Sequence, residues 1–399
     1  MGAHRYFRHR RKFSLRRRHR FAIATGVIAA GVALVALLTT LSTAAEGPLT
    51  TGMERVAAGF GSLEHRLSRY FRGPGRSAGL MWFARYRADM KLLRQPDAVL
   101  LGSYDSRIPN SLDGVLALEQ RLGTTFPLVQ IYTAWGDKPE QRFPLALVTA
   151  IWDVGSVPVI TWEPWLTDFE SAKHPHLPLR DARESHGMAA VARGEYDFHV
   201  DVWAAAAAKF GKPLYVRWGH EMNDPYRYSW GPQNNTKEEY IAAWRHVVRR
   251  FRAAGADNVI WVWSPHVAYE YWDLYYPGDA HVDWVATGAL NYGPIAQWSR
   301  WWTFAEIFGS KYPRLASFGK PVMVAEFGSL AVGGDRAEWY RSALTGLPQQ
   351  YPAVKALLFF DASSDQTVTY QKVDWRVGTN TAVAAAVARA IAPWSAPGR

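Results

Sequence analysis

From residue 98 onward the chain alternates between short apolar runs, rich in β-branched and aromatic residues, and longer stretches with helical spacing. The apolar runs fall at 98–104, 128–135, 157–162, 213–218, 258–263, 282–290, 321–325 and 354–360. Several are apolar almost without a break, the pattern of parallel strands covered on both faces. The stretch at 236–254 opens on Thr-Lys-Glu-Glu, a capping-box sequence that starts a helix. The last helical stretch, 379–392, is rich in alanine and suited to closing a barrel against its neighbour. Eight such units in succession predict an α/β fold, a (β/α)8 TIM barrel over residues 97–393. A doubly wound sheet is the alternative, but no glycine-rich phosphate loop follows the first strand.

Ahead of the barrel the pattern changes. Residues 21–45 read FAIATGVIAAGVALVALLTTLSTAA, 25 residues without a charge. A hydrocarbon core about 30 Å thick needs roughly 20 such residues as a helix. Nine of the 46 basic residues lie between Arg5 and Arg20, and no acidic residue precedes Glu46. This favours an uncleaved transmembrane anchor, with the basic tail 1–20 cytoplasmic and the barrel outside the cytoplasm, periplasmic or extracellular. A signal peptide cleaved near Ser42-Thr43-Ala44, releasing a secreted domain, is the alternative. Arg10-Arg11-Lys12-Phe13 matches a twin-arginine signal only loosely. Residues 46–96 are expected to be a stalk or linker, with a short amphipathic helix at 53–72 before the breaker Gly73-Pro74-Gly75.

Composition narrows the function. The 399-residue chain is 48% hydrophobic and 14% aromatic, which excludes a largely disordered protein. The net charge of +11 belongs to the tail, because from Glu46 onward 37 basic residues face 35 acidic ones. The barrel therefore lacks the electrostatic footprint of a nucleic-acid-binding domain, and no nucleic-acid partner is expected. There are no cysteines, so disulfides, thiolate metal sites and cysteine nucleophiles are excluded.

In barrels of this kind the chemistry sits at the C-terminal ends of the strands. The fourth run continues Leu214-Tyr215-Val216-Arg217-Trp218-Gly219-His220-Glu221-Met222-Asn223. Alternation places Leu214, Val216 and Trp218 toward the helices, and Tyr215, Arg217, Gly219 and Glu221 toward the barrel axis. The seventh run continues into Ala325-Glu326-Phe327-Gly328 and also ends on a glutamate. A carboxylate closing an apolar strand is costly to bury without a partner, so two of them mark a site. His220-Glu221 does not begin a zinc-peptidase motif, since Asp224 stands where a second histidine is required.

The stretches Arg217–Asn223, Tyr228-Ser229-Trp230-Gly231 and Ala325–Gly328 resemble glycoside hydrolase family 26, within the large clan of retaining barrel glycosidases. The resemblance covers roughly residues 97–393. It implies Glu221 as general acid/base and Glu326 as nucleophile, with His220 and Asn223 flanking the acid/base. It implies that Tyr292, after the sixth strand, hydrogen-bonds the nucleophile, and Arg217 would help to keep Glu326 ionised. In a retaining mechanism two carboxyl groups lie about 5–5.5 Å apart, one attacking while the other donates a proton.

Sugar rings stack on indole faces, and Trp162, Trp165 and Trp230 lie on predicted strand-end loops, so these three are the candidate stacking residues. Two departures from the family pattern bear on the sugar. The eighth strand ends Phe359-Phe360-Asp361 in place of a tryptophan, leaving Asp361 or Trp375 to form that wall, and the third ends Trp162-Glu163-Pro164-Trp165 in place of a histidine. His174, His176 and His186, in the long loop 174–193, read as solvated loop histidines. The expectation is a membrane-anchored retaining endo-β-glycanase, needing no cofactor and no metal. Its substrate would be β-1,4-mannan, mixed-linkage β-glucan or an exopolysaccharide. A non-catalytic polysaccharide-binding or synthesis-accessory protein on the same barrel is the alternative.

Overall fold

Eight parallel strands close on themselves in sequence order, and β1 pairs with β8 to complete the ring. They are β1 Leu100–Asp105, β2 Leu128–Ala134, β3 Val157–Glu163, β4 Leu214–Trp218, β5 Val259–Trp263, β6 Trp284–Asn291, β7 Val322–Ser329 and β8 Val354–Asp361. The structure is a computed structural model and describes residues 75–366, 369 and 371–395. The tail 1–20, the apolar run 21–45 and residues 46–74 of the expected stalk lie outside the described residues. Among the described residues no helix is long and apolar enough to cross a membrane.

The eight strands correspond to the eight apolar runs. Helix Lys237–Ala253 begins where the capping box put it: the Thr236 hydroxyl accepts from the Glu239 amide at 3.2 Å, and the Glu239 carboxylate accepts from the Thr236 amide at 2.8 Å. The closing helix, Thr381–Ile391, is capped by the Asn380 side chain.

Side chains divide by strand parity. Leu214, Val216 and Trp218 of β4 pack outward with the helices, whereas Tyr215 joins the inner layer with Val159, Val262, Trp284, Ala286, Met323 and Leu358. That inner layer is sealed from below by residues that precede β1. Leu80, Phe83, Tyr86 and Leu93 are buried in it, and the Leu93 carbonyl accepts hydrogen bonds from Tyr215 Oη and Trp284 Nε1, each at 3.0 Å. Residues 75–96 are thus a plug for the N-terminal end of the barrel and not a linker. Their apolar side chains are spent on the barrel interior, which short helices can reach without any strand of their own.

β7 departs from regular pairing. Thr287 pairs with Val324 and Gly288 with Glu326, so Ala325 is an extra residue relative to β6. Against β8, the step from Val324 to Phe327 is likewise one residue longer on β7. The bulge lets Ala325 and Glu326 both face the barrel axis, where strict alternation would turn Glu326 outward.

Candidate active site

The two glutamates meet at the C-terminal mouth of the barrel. Both face Gly288 of β6: a Cβ built there would lie 3.8 Å from Glu221 Oε1 and 4.0 Å from Glu326 Oε2. Each arrives by its own backbone device. Glu326 is turned in by the β7 bulge. β4 ends at Trp218, after which Gly219 (φ 48°) and Glu221 (φ 54°) both adopt left-handed conformations. Glu221 therefore reaches the axis through a tight turn and not as a continuation of the strand. Its amide is fixed to the Ser264 carbonyl at 2.7 Å. A left-handed non-glycine residue is costly and persists where the surroundings hold it.

Glu326 is firmly held. Its Oε1 accepts from Arg217 Nη2 at 2.5 Å and from Tyr132 Oη at 2.8 Å. Arg217 is fully buried, and its Nε is aligned by the Thr161 hydroxyl at 3.0 Å. Burial pushes the Glu326 carboxyl up, but the Arg217 charge and the hydrogen bonds from Arg217 and Tyr132 outweigh it, leaving the group below the usual carboxylate range. Glu221 has a looser partner, the Arg227 guanidinium, 3.5 Å from Oε2.

The tyrosine that binds Glu326 is Tyr132 of β2 and not Tyr292. Tyr292 follows β6, and its ring is turned against Trp298 and Trp375, edge-on at 5.3 and 4.9 Å. Tyr132 carried a sequence signal of its own. On the inner face of β2 it follows Gln130, two polar residues in an apolar strand, and Gln130 Nε2 donates to both Tyr132 Oη and Thr161 Oγ1. Arg227 and Gly288 had no comparable signal.

His220 is buried behind the pair. Its Nε2 lies 3.0 Å from Tyr228 Oη and 4.0 Å from Glu163 Oε1. Burial, aided by the Arg217 and Arg227 charges, holds its pKa well below the ordinary value, so the ring is neutral. Asn223 works on the backbone. Its side chain donates to the His266 and Tyr269 carbonyls at 3.2 and 3.1 Å and accepts from the His266 amide at 2.7 Å, clamping the loop after β5 to the Glu221 turn.

Of the three candidate stacking tryptophans, only Trp165 keeps a partly accessible ring, its Nε1 donating to Glu163 Oε2 at 3.1 Å. Trp162 is fully buried outside the barrel, stacked on Trp203 at 4.4 Å, because its place in β3 points it toward the helices. Trp230 is also buried, stacked on Tyr228 at 4.5 Å with Nε1 donating to the His220 carbonyl at 2.7 Å. Neither offers a face to a sugar. At the end of β8, Asp361 accepts from the Val377 amide at 2.7 Å, and burial, with Asp105 beside it, pushes its carboxyl up to about 6. Trp375 is buried as well, so Trp298, 65% exposed, carries the open indole on that side.

Glu221, Asp224 and His266 bring donor atoms within 4.8 Å of one another, the one group among the described residues with spacing for a cation. Two of the loop histidines are paired separately with carboxylates, His174 with Asp137 at 2.8 Å and His186 with Glu239 at 2.7 Å.

A sequence profile described as "Glycosyl hydrolase family 26" matches residues 195–322, which include the Glu221 turn and the whole of β6. Endoglucanase H of Acetivibrio thermocellus is 29% identical over 308 residues, 73% of this chain. Over residues 195–322 the chain is similar to glycosyl hydrolase family 26. A mannan endo-1,4-beta-mannosidase of Caldalkalibacillus mannanilyticus is 29% identical over 143 residues, 33% of the chain and 25% of that relative. The chain spans 31% of the length of Endoglucanase H and 25% of that of the mannosidase. Among solved structures, a GH26 beta-mannanase from Bacteroides ovatus superposes with a TM-score of 0.54 at 16% identity, covering 80% of this chain and 93% of that one. At that identity the likeness is one of fold.

Proposed function

We propose that the protein is a retaining endo-β-glycanase in which Glu326 is the nucleophile and Glu221 the general acid/base. The observation that carries this reading is the asymmetry of the pair. Glu326 is held ionised by Arg217 and Tyr132 through one oxygen, leaving Oε2 unoccupied toward Glu221. Glu326 attacks the anomeric carbon as the C–O bond to the leaving sugar breaks. The electron pair goes to the glycosidic oxygen, which takes the proton from Glu221. The Glu221 carboxylate so formed faces Arg227, whose charge stabilises it while it removes a proton from water. That water opens the glycosyl ester, restoring Glu326 and giving a sugar of retained configuration.

The substrate class is a β-linked polysaccharide, with β-1,4-mannan, mixed-linkage β-glucan and an exopolysaccharide as candidates. The relatives' names, an endoglucanase and a mannanase, support a β-glycan in general and do not choose among these. The uncharged run 21–45 behind nine basic residues supports an anchor that keeps the barrel outside the cytoplasm. The experiment is a panel assay: the purified protein is incubated with soluble β-glycans and released reducing ends are followed over time. Internal cleavage of at least one β-glycan, abolished in Glu326→Ala, is the expected result. Binding to glycans with no cleavage would replace this reading with a purely binding one.

A further inference from the structure

Gly288 puts the smallest residue beside both glutamates. The inner face of β6 tapers toward the mouth: Trp284 and Ala286 fill the interior, and Gly288 leaves bare backbone at the level of the two glutamates. The atoms nearest to the space above that backbone belong to those glutamates. The nearest atoms to a Cβ there would be Glu221 Oε1 at 3.8 Å, Glu326 Cβ at 3.8 Å and Glu326 Oε2 at 4.0 Å. These are ordinary van der Waals separations, so a methyl group fits the folded protein without moving anything. Gly288 is also not required by its backbone, since its φ lies outside the positive range that favours glycine. Neither packing nor conformation accounts for the missing side chain.

The oxygens that face Gly288 are Glu326 Oε2 and Glu221 Oε1. Glu326 Oε1 is taken by Arg217 and Tyr132, and Oε2 is the one turned to Gly288. Glu221 Oε2 faces Arg227, and Oε1 is turned to Gly288. A nucleophile attacks with its unoccupied oxygen, and an acid donates from the oxygen that can reach the leaving group. We propose that Gly288 is a positioning residue whose absent side chain is the seat of the reacting sugar. The anomeric carbon and the glycosidic oxygen lie over its backbone, between Glu326 Oε2 and Glu221 Oε1. This rests on the proposed roles of the two glutamates and adds to them which oxygen of each acts and what forms the floor beneath the bond.

The test is Gly288→Ala, with wild type run in parallel on the same soluble β-glycan. The methyl takes the volume of the reacting centre while distant subsites still hold the chain. The kcat should therefore fall at least 100-fold with KM changed less than about 5-fold, since small displacements at a reacting centre cost about that much. Replacing glycine by alanine where the backbone tolerates it removes freedom from the unfolded chain, so the thermal midpoint should be equal or higher. A variant that is at least as stable yet nearly inactive is the expected pair of results. Gly288→Ala with wild-type kcat would overturn the inference and leave the glycanase reading intact. A variant with a clearly lowered midpoint would overturn it too, by making Gly288 a structural glycine. If wild type itself cleaves no β-glycan, the roles of the glutamates fall and the assignment of Gly288 falls with them.

Discussion

Tyr132→Phe removes one oxygen and leaves the ring in place, so it isolates the hydrogen bond to Glu326. The bond is 2.8 Å long, inside the barrel, and made to an ionised carboxylate. Hydrogen bonds to charged groups contribute about 1.5–3 kcal/mol. The other partners of the lost hydroxyl keep alternatives, because Gln130 Nε2 still donates to Thr161, and Arg217 to Thr161 and Glu326. The loss therefore falls mainly on the ionised form of Glu326. Its carboxyl should rise from its depressed position. The sign follows from the proposed mechanism. The nucleophile must be ionised, so activity disappears as pH falls through its pKa, and in the variant that loss begins at higher pH. The same bond adds to stability only where Glu326 is charged. Its contribution is present above the unfolded carboxylate range and is lost as pH falls through the depressed folded value. The assay is the pH dependence of kcat/KM on a soluble β-glycan for wild type, Tyr132→Phe and Tyr292→Phe. The acid limb should move up for Tyr132→Phe and stay in place for Tyr292→Phe. A shift confined to Tyr292→Phe would refute the assignment of Tyr132 as the tyrosine that supports the nucleophile.

Three further outcomes follow from the same structure. Trp162→Ala should lower unfolding free energy by about 3–5 kcal/mol in denaturant titrations, with glycan affinity of the folded protein unchanged; weaker binding without destabilisation would restore its role in stacking. Asn223→Ala should free the loop after β5, raising hydrogen exchange at the His266 amide and KM several-fold, whereas an unchanged exchange rate would mean that the clamp is idle. Asp361, raised by burial to about 6 from an unfolded value near 3.8, favours folding when protonated, and that contribution is lost as pH rises through about 6. Asp361→Asn should therefore gain stability over wild type between about pH 4 and 7, reaching about 2–3 kcal/mol, and a flat difference across that range would contradict the raised carboxyl.

Much of this was legible in the chain. The eight apolar runs became the eight strands, and alternation along β4 gave the outward Trp218 and the inward Arg217 correctly. The same alternation applied to β3 puts Thr161 inward and Trp162 outward, so the burial of Trp162 was readable and was hidden only by its nearness to a strand end. The orientation of Glu326 was not readable, because it depends on a bulge at Ala325 that β6 and β8 impose through their pairing. Nor was the choice between Tyr132 and Tyr292, since Tyr292 follows β6, the direct neighbour of β7, whereas Tyr132 reaches Glu326 only across the closed barrel. The plug at 75–96 looked like a linker because its helices are short, and its apolar positions make sense only against the open end of a barrel.

The central claim is that Glu326 forms a covalent bond to the sugar, and trapping that bond tests it most directly. Glu221→Ala, which lacks the base for the second step, is mixed with an aryl β-glycoside whose leaving group departs without a proton. The protein is then quenched, digested and weighed by mass spectrometry. The account predicts a burst of one aryl group per active site and a single glycosyl mass added to the peptide containing Glu326. A burst with the added mass on another residue, or hydrolysis without any adduct and with inverted product, would contradict it.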